Sequence, residues 1–82
     1  MIIDARALPP DELIEADVCI VGAGLAGLAL AREFARKSIR VCLLESGGLT
    51  PDPRTQALGW GENIGHPYYS LDTSRPRALG GS

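Results

Sequence analysis

The feature that most constrains this chain is the glycine-rich segment at residues 22–27, which matches the pattern G-x-G-x-x-G. It follows an apolar run at residues 17–21 that is rich in β-branched side chains. Such a run is typical of a strand covered on both faces in a parallel sheet. Residues 24–37 carry apolar side chains at helical spacing. The glycines therefore lie between a predicted strand and a predicted helix, where a phosphate-binding turn needs them.

Each motif glycine has its own physical role. Gly22 permits a tight turn after the strand, Gly24 lets the backbone approach a pyrophosphate, and Gly27 lets the helix lie close to the sheet. The N–H groups and the positive dipole end of the helix would face the phosphates. The residues of this predicted phosphate site are Gly22, Ala23, Gly24, Leu25, Ala26 and Gly27.

A second apolar run at residues 39–44 predicts a second strand, and Glu45 ends it. Glu45 lies 45 − 27 = 18 positions after the third glycine, close to the spacing of the acid that binds a ribose 2′-hydroxyl. A carboxylate there accepts FAD or NAD and disfavours the 2′-phosphate of NADP. The fold class predicted is α/β, with the N-terminal βαβ part of a Rossmann-like FAD-binding domain. A lone tight turn and a solvated strand end form the simpler alternative.

Composition excludes several classes of protein. With 82 residues and a net charge of −2, the chain has no basic face for nucleic acid. Its sequence holds no apolar run near the ~18 residues of a membrane span. The N-terminus lacks signal-peptide features, so we expect a cytoplasmic protein. Cys19 and Cys42 lie on neighbouring predicted strands without metal-ligand spacing, which favours buried, reduced thiols and predicts no metal site.

Three segments are predicted along the chain. Residues 1–15 form an N-terminal arm, residues 16–48 the βαβ unit, and residues 49–82 an extended arm rich in glycine and proline. The last segment shows neither a helix-length period nor a convincing strand. A long irregular run of this kind in a compact domain indicates a lid, an arm or a missing part of the fold.

The end of the arm carries a second motif, Arg75-x-Arg77-x-x-Gly80-Gly81-Ser82. Glycines there allow backbone N–H groups to converge as an anion-binding nest, and arginine pairs bidentately with phosphate. A flexible solvated end explains the same composition. Together with residues 17–31, residues 43–48 and Gly65-His66-Pro67-Tyr68, this block resembles the N-terminal part of the glucose-methanol-choline oxidoreductases.

The resemblance implies FAD as cofactor. Its ADP half would lie on residues 22–27, Glu45 and Ser46, with Arg77, Gly80, Gly81 and Ser82 near the pyrophosphate and the ribityl chain. Residues 49–74 would cover the flavin. Trp60, Tyr68 and Tyr69 are interpreted as core or interface residues rather than flavin contacts.

The resemblance also implies oxidation of the CH–OH groups of alcohols or sugars, with a hydride passing to the flavin. The histidine base of that family lies in its C-terminal part, so no catalytic residue is assigned on this chain. His66, the only histidine, precedes the Gly-Gly-Ser block and is interpreted as structural.

Two strands and one helix are too few for an independent fold. We therefore expect a companion polypeptide that carries the rest of the FAD domain and the substrate domain; an isolated truncated fragment is the alternative. Two other functions stay open at this point. One is a piece of another FAD class, such as an amine oxidase or hydroxylase, or of an NAD dehydrogenase. The other is a non-enzymatic nucleotide-binding module.

Overall fold

The computed structural model describes residues 1–81, so Ser82 lies outside the described part of the chain. Two strands and three helices form in the order β1, α1, β2, α2, α3. Their bounds are Val18–Val21 for β1, Leu25–Ala35 for α1, Val41–Leu44 for β2, Pro53–Gln56 for α2 and Leu71–Ser74 for α3. Short 3₁₀ turns lie at Ala5–Ala7 and Ala57–Gly59.

The two strands pair in parallel, and α1 connects them. Val18 is in register with Val41 and Val21 with Leu44, and the pairing continues into the glycine turn because the N–H of Gly22 donates to the carbonyl of Leu44 at 2.7 Å. The predicted βαβ unit and its fold class are thereby confirmed. Both strands start later than predicted, at Val18 and Val41, because the polar residues Asp17 and Arg40 bond to each other before the ladder begins.

The tightest packing lies where α1 crosses the turn after β1. Ala23 is fully buried, and Gly27 is the one buried residue of α1. A Cβ on Gly27 would lie 1.9 Å from the carbonyl oxygen of Gly22 and 3.5 Å from the Ile20 side chain. The expected close approach of helix and strand is therefore present, and it is possible only with glycine at this position.

The face of the sheet opposite α1 has no cover within the described residues. Val21 is 83% exposed, Leu44 is 49% exposed, and the thiol-bearing Cys19 is exposed while Cys42 is half-buried. The expectation of strands covered on both faces, with both thiols buried, is wrong for this chain. Among residues 1–81, α1 is the one helix that packs on both strands, and it covers one face of them. Cys19 and Cys42 are register partners and both are free thiols.

The arms contain short structure that the sequence did not predict. Asp52 begins α2 by accepting from the N–H and the hydroxyl of Thr55, with Pro53 in the first turn. The first 3₁₀ turn, capped by Asp4, lies at Ala5–Ala7, and residues 12–16 form no helix or strand. Within residues 1–81, no helix combines the length and the apolar character needed to cross a membrane.

We expect Gly27→Ala to lower the free energy of unfolding of the holoprotein by about 1–3 kcal/mol, the usual cost of forcing one extra group into a packed site. Its methyl group would collide with the carbonyl of Gly22. Thermal or urea unfolding measures the change. Gly61→Ala is the control, because a Cβ at Gly61 meets nothing within 4 Å. Equal stability of the two variants would contradict the close packing of α1 on the turn.

Candidate functional site

The site is built around the side chain of Glu45, which follows β2 directly. Its Oε2 accepts the N–H of Ala23 at 2.7 Å, and its Oε1 accepts the N–H of Gly47 at 2.7 Å. Ala23 belongs to the glycine turn after β1, and Gly47 to the turn after β2. One carboxylate therefore joins the turns that follow the two parallel strands.

These backbone bonds lower the pKa of Glu45 below its usual value of 4.5, the N–H of Gly47 having the largest effect and that of Ala23 the next. Hydrogen bonds to the charged form stabilise the carboxylate against protonation. Glu45 is therefore a fixed negative charge at neutral pH. The hydroxyl of Ser46 also donates to Oε1, at 3.4 Å. A carboxylate offers about four lone-pair positions, so these bonds leave capacity for a ribose hydroxyl.

The glycine turn presents backbone at the N-terminus of α1. Gly22 has a φ of +101°, which favours glycine, and turns the chain away from β1. Gly24 is the N-cap, and a Cβ there would meet nothing within 4 Å. Among the described residues, no side chain caps the first N–H groups of α1. Open space next to uncapped N–H groups fits the approach of a phosphate group.

The end of the second arm returns to this turn. Gly48 and Ala78 form an isolated parallel bridge, and Leu79 donates its N–H to the carbonyl of Gly48 at 3.0 Å. Gly80 then donates its N–H to the carbonyl of Ala23 at 2.8 Å. A Cβ on Gly81 would lie 3.2 Å from the Cα of Gly24. The block at the end of the arm therefore packs directly on the glycine turn.

The N–H groups of this block differ from the expected anion-binding nest. Gly80 uses its N–H on Ala23 and Gly81 uses its N–H on Ala78, at 2.8 and 2.9 Å. Both glycines have positive φ values, +97° and +65°. Glycine adopts these angles readily, and this allows the chain to turn back towards the turn after β1. Ser82, the third predicted member of the block, lies outside the described residues.

Arg77 also lines the site. Its Nη1 donates to the hydroxyl of Ser46 at 2.8 Å, beside Glu45 rather than at the N-terminus of α1. The backbone of Arg77 also packs closely on the turn after β2, because a Cβ on Gly47 would lie 2.2 Å from the carbonyl oxygen of Arg77. An open groove of about 400 Å³ results at the carboxyl ends of the strands, lined by Val21, Gly22, Leu44, Glu45, Ser46 and Arg77.

The groove matches the place where parallel α/β sheets bind ligands, outside the carboxyl ends of their strands. Its residues fit the ADP half of FAD. Glu45 offers a carboxylate to ribose hydroxyls and Arg77 supplies a positive charge. Beside the groove, the space that a Cβ on Gly24 would enter is open to a pyrophosphate. The sequence motifs thus come together in space, although the cofactor contacts of the individual residues remain predictions.

The remaining residues of interest lie apart from the groove. His66 is exposed, as are the rings of Trp60, Tyr68 and Tyr69. The interpretation of these aromatic residues as core is wrong within this chain; their role as interface residues stays a prediction. Sequence reasoning missed Gln56, whose amide bonds the segment that carries Arg77, because a single glutamine outside any motif gives no signal.

Comparison with protein families finds one matching model, that of FAD dependent oxidoreductases (DAO), over residues 17–70. The match includes the glycine turn, both strands and Glu45, and it ends before the arginine and glycine block at residues 75–82. No solved structure matches the chain.

Curated proteins that resemble part of the chain include a hydroxylase and a histone demethylase homologue. Aklavinone 12-hydroxylase RdmE of Streptomyces purpurascens is 51% identical over 41 residues, which are 49% of this chain and 8% of that protein. Lysine-specific histone demethylase 1 homolog 2 of Oryza sativa subsp. japonica is 54% identical over 39 residues, 45% of this chain and 5% of that protein. The chain therefore spans less than a tenth of the length of these relatives.

We expect Glu45→Gln to lower the free energy of unfolding of the holoprotein by about 1–3 kcal/mol at neutral pH, because hydrogen bonds to a charged acceptor are lost. The folded-state pKa of Glu45 is depressed, so its contribution is present above the unfolded-state value near 4.5 and is lost as pH falls through the folded-state pKa. The difference between the two proteins should accordingly shrink in acid.

Urea unfolding between pH 3 and 7 (a range spanning the ordinary carboxyl titration, ~4) measures this dependence. Glu33→Gln, an exposed position on α1, is the matched control and should leave the profile unchanged. A constant difference between wild type and Glu45→Gln across the range would contradict the bridging role of the carboxylate.

Proposed function

Because the chain belongs to the family of FAD dependent oxidoreductases and its cofactor is FAD, we propose that residues 16–48 bind the ADP half of FAD. The observation that carries the proposal is the convergence of Gly22, Glu45 and Arg77 on one groove, next to the N-terminus of α1, which no side chain of residues 1–81 caps. Glu45 would accept the ribose hydroxyls, and the N-terminus of α1 would face the pyrophosphate.

The proposed reaction is the oxidation of a CH–OH group of an alcohol or sugar, as in the glucose-methanol-choline oxidoreductases. The support is the block Arg75-x-Arg77-x-x-Gly80-Gly81-Ser82, of which Arg77, Gly80 and Gly81 contact the two turns of the site. FAD, when bound, supplies the acceptor for the substrate hydride. Residues 1–82 would bind and orient the adenine end of the cofactor, and the proton acceptor for the hydroxyl would come from outside them.

We further propose that protein outside residues 1–82, on a companion polypeptide or a longer form of this chain, completes the FAD domain and carries the substrate domain. The uncovered face of the sheet supports this, because Val21 and Leu44 expose apolar surface there. An apolar face of a parallel sheet is normally covered by a second layer. Residues 49–74 would then cover the flavin.

A second candidate reaction is hydroxylation or demethylation. The support is the identity of more than half of the aligned residues with a protein named as a hydroxylase and with one named as a histone demethylase homologue. Those matches involve about half of this chain, and the motifs within residues 17–70 are common to many flavoproteins. We therefore prefer alcohol or sugar oxidation on the basis of the block at residues 75–82.

We expect Gly24→Val to abolish FAD binding while the protein stays folded. A side chain at Gly24 would enter open space in the structure but would occupy the proposed path of the pyrophosphate. Gly61→Val is the matched control, because Gly61 also has open space around a Cβ and no positive φ. The flavin content of the purified proteins, measured by absorption, gives the result. Full FAD content in Gly24→Val would contradict the assignment of the turn.

The proposed reaction is tested by reducing the bound flavin without oxygen. We expect a primary alcohol or an aldose to bleach the flavin absorption of the complete holoprotein within one turnover, because the substrate carbon donates its hydride to FAD. The same measurement with a panel of amines, and with NADH or NADPH, provides the comparison. Bleaching by an amine or a nicotinamide alone would contradict alcohol oxidation and favour the second candidate.

A further inference from the structure

Gln56 holds three backbone groups of one segment through a single side-chain amide. Its Nε2 donates to the carbonyl of Asp72 at 2.5 Å and to the carbonyl of Arg75 at 2.9 Å. Its Oε1 accepts the N–H of Arg77 at 2.9 Å. The amide thus uses both of its donors and its acceptor on residues 72–77, which run from within α3 towards the end of the arm.

The chemistry of an amide is required at this position. A glutamate has acceptors only, so it would repel the two carbonyl oxygens, and a leucine would leave all three groups without their partner. All three partners are main-chain atoms, so the contact fixes the path of the segment whatever its side chains are. This distinguishes Gln56 from a residue that pairs with one exposed side chain.

Gln56 is itself held in place. It ends α2, and its own N–H donates to the carbonyl of Asp52 at 2.9 Å. Asp52 caps the same turn by accepting from the N–H of Thr55 at 3.0 Å, and Pro53 restricts the backbone of the first turn. The half-buried amide therefore projects from a capped turn rather than from a free loop.

The fixed segment leads directly to the groove. Arg77 receives the last of the three amide contacts on its N–H, and its guanidinium donates to the hydroxyl of Ser46 at 2.8 Å. Ser46 and Arg77 both line the groove, whereas Gln56 does not. Any influence of Gln56 on the cofactor must therefore pass through the placement of other residues.

We propose that Gln56 is a positioning residue that holds Arg77 at the adenosine end of the FAD groove. The inference rests on the proposed function, because it takes the groove lined by Glu45, Ser46 and Arg77 as the site of the ADP half of FAD. Gln56 lies between the glycine turn and the end of the arm in sequence, and it belongs to neither motif.

The test is a double-mutant cycle on FAD affinity in the complete holoprotein. Gln56→Leu and Arg77→Ala should each weaken FAD binding about tenfold, the factor for about one net hydrogen bond. If Gln56 acts through Arg77, the double variant should also be about tenfold weaker rather than a hundredfold, since contacting residues are not additive. Asn63→Leu, the same kind of change at an exposed amide of the same arm, should bind FAD like wild type.

The absorption spectrum separates positioning from general loss of structure. Because Arg77 contacts the groove beside Glu45, the flavin that does bind to Gln56→Leu should keep the wild-type visible spectrum. An altered flavin spectrum or fully additive losses in the cycle would contradict a role through Arg77. Wild-type FAD affinity in Gln56→Leu would overturn the inference outright.

Hydrogen exchange on the wild-type holoprotein provides a test that needs no variant. The N–H of Arg77 donates to a side-chain amide, so it should exchange slowly compared with the N–H of exposed Arg75. Equal, rapid exchange at both positions would overturn the inference even if Gln56→Leu fails to fold. Full FAD content in Gly24→Val would instead contradict the proposed function itself. Failure of the inference about Gln56 and failure of the proposed FAD site therefore give different results.

Discussion

The carboxylate of Glu45 is the interaction on which the rest of the site depends. It accepts one N–H from each of the turns that follow the two parallel strands, at Ala23 and at Gly47. Parallel strands bring their carboxyl ends to the same edge, but the backbone ladder ends at the bond between Gly22 and Leu44. Beyond that point the two turns are joined through a side chain. A residue usually considered for its ribose contact therefore has a structural role as well.

The second arm is fixed on the turns that Glu45 joins. Gly80 bonds to Ala23 of the first turn, and Leu79 bonds to Gly48 after the second. Gly47 allows this packing, because a Cβ there would lie 2.2 Å from the carbonyl oxygen of Arg77. Gly27 in turn allows α1 to pack on the first turn, because a Cβ there would lie 1.9 Å from the carbonyl oxygen of Gly22. The two glycines thus bring α1 and the end of the arm close to the turns beside the groove. The space that a Cβ on Gly24 would enter stays open.

The parts of the fold that the sequence predicted are those with a period or a motif. The β-branched runs, the helical spacing of α1 and the distance from Gly27 to Glu45 predicted the βαβ unit. The short helices α2 and α3 could not be found in this way, because four residues give no period; the capping pair Asp52 and Pro53 signals only a possible start. Gln56 was missed because its partners are backbone atoms. The exposure of Val21 was missed because an apolar sequence pattern indicates that a strand needs to be buried. It does not show whether residues of the same chain bury it.

The central claim is that the groove at the carboxyl ends of the strands holds the ADP half of FAD. The most direct measurement is a crystal structure of the complete holoprotein with FAD bound. We expect pyrophosphate oxygens within hydrogen-bonding distance of the N–H groups that begin α1. We also expect ribose hydroxyls on Glu45, while that side chain still accepts the N–H groups of Ala23 and Gly47. A cofactor bound elsewhere, with this groove filled by solvent or by another part of the protein, would contradict it.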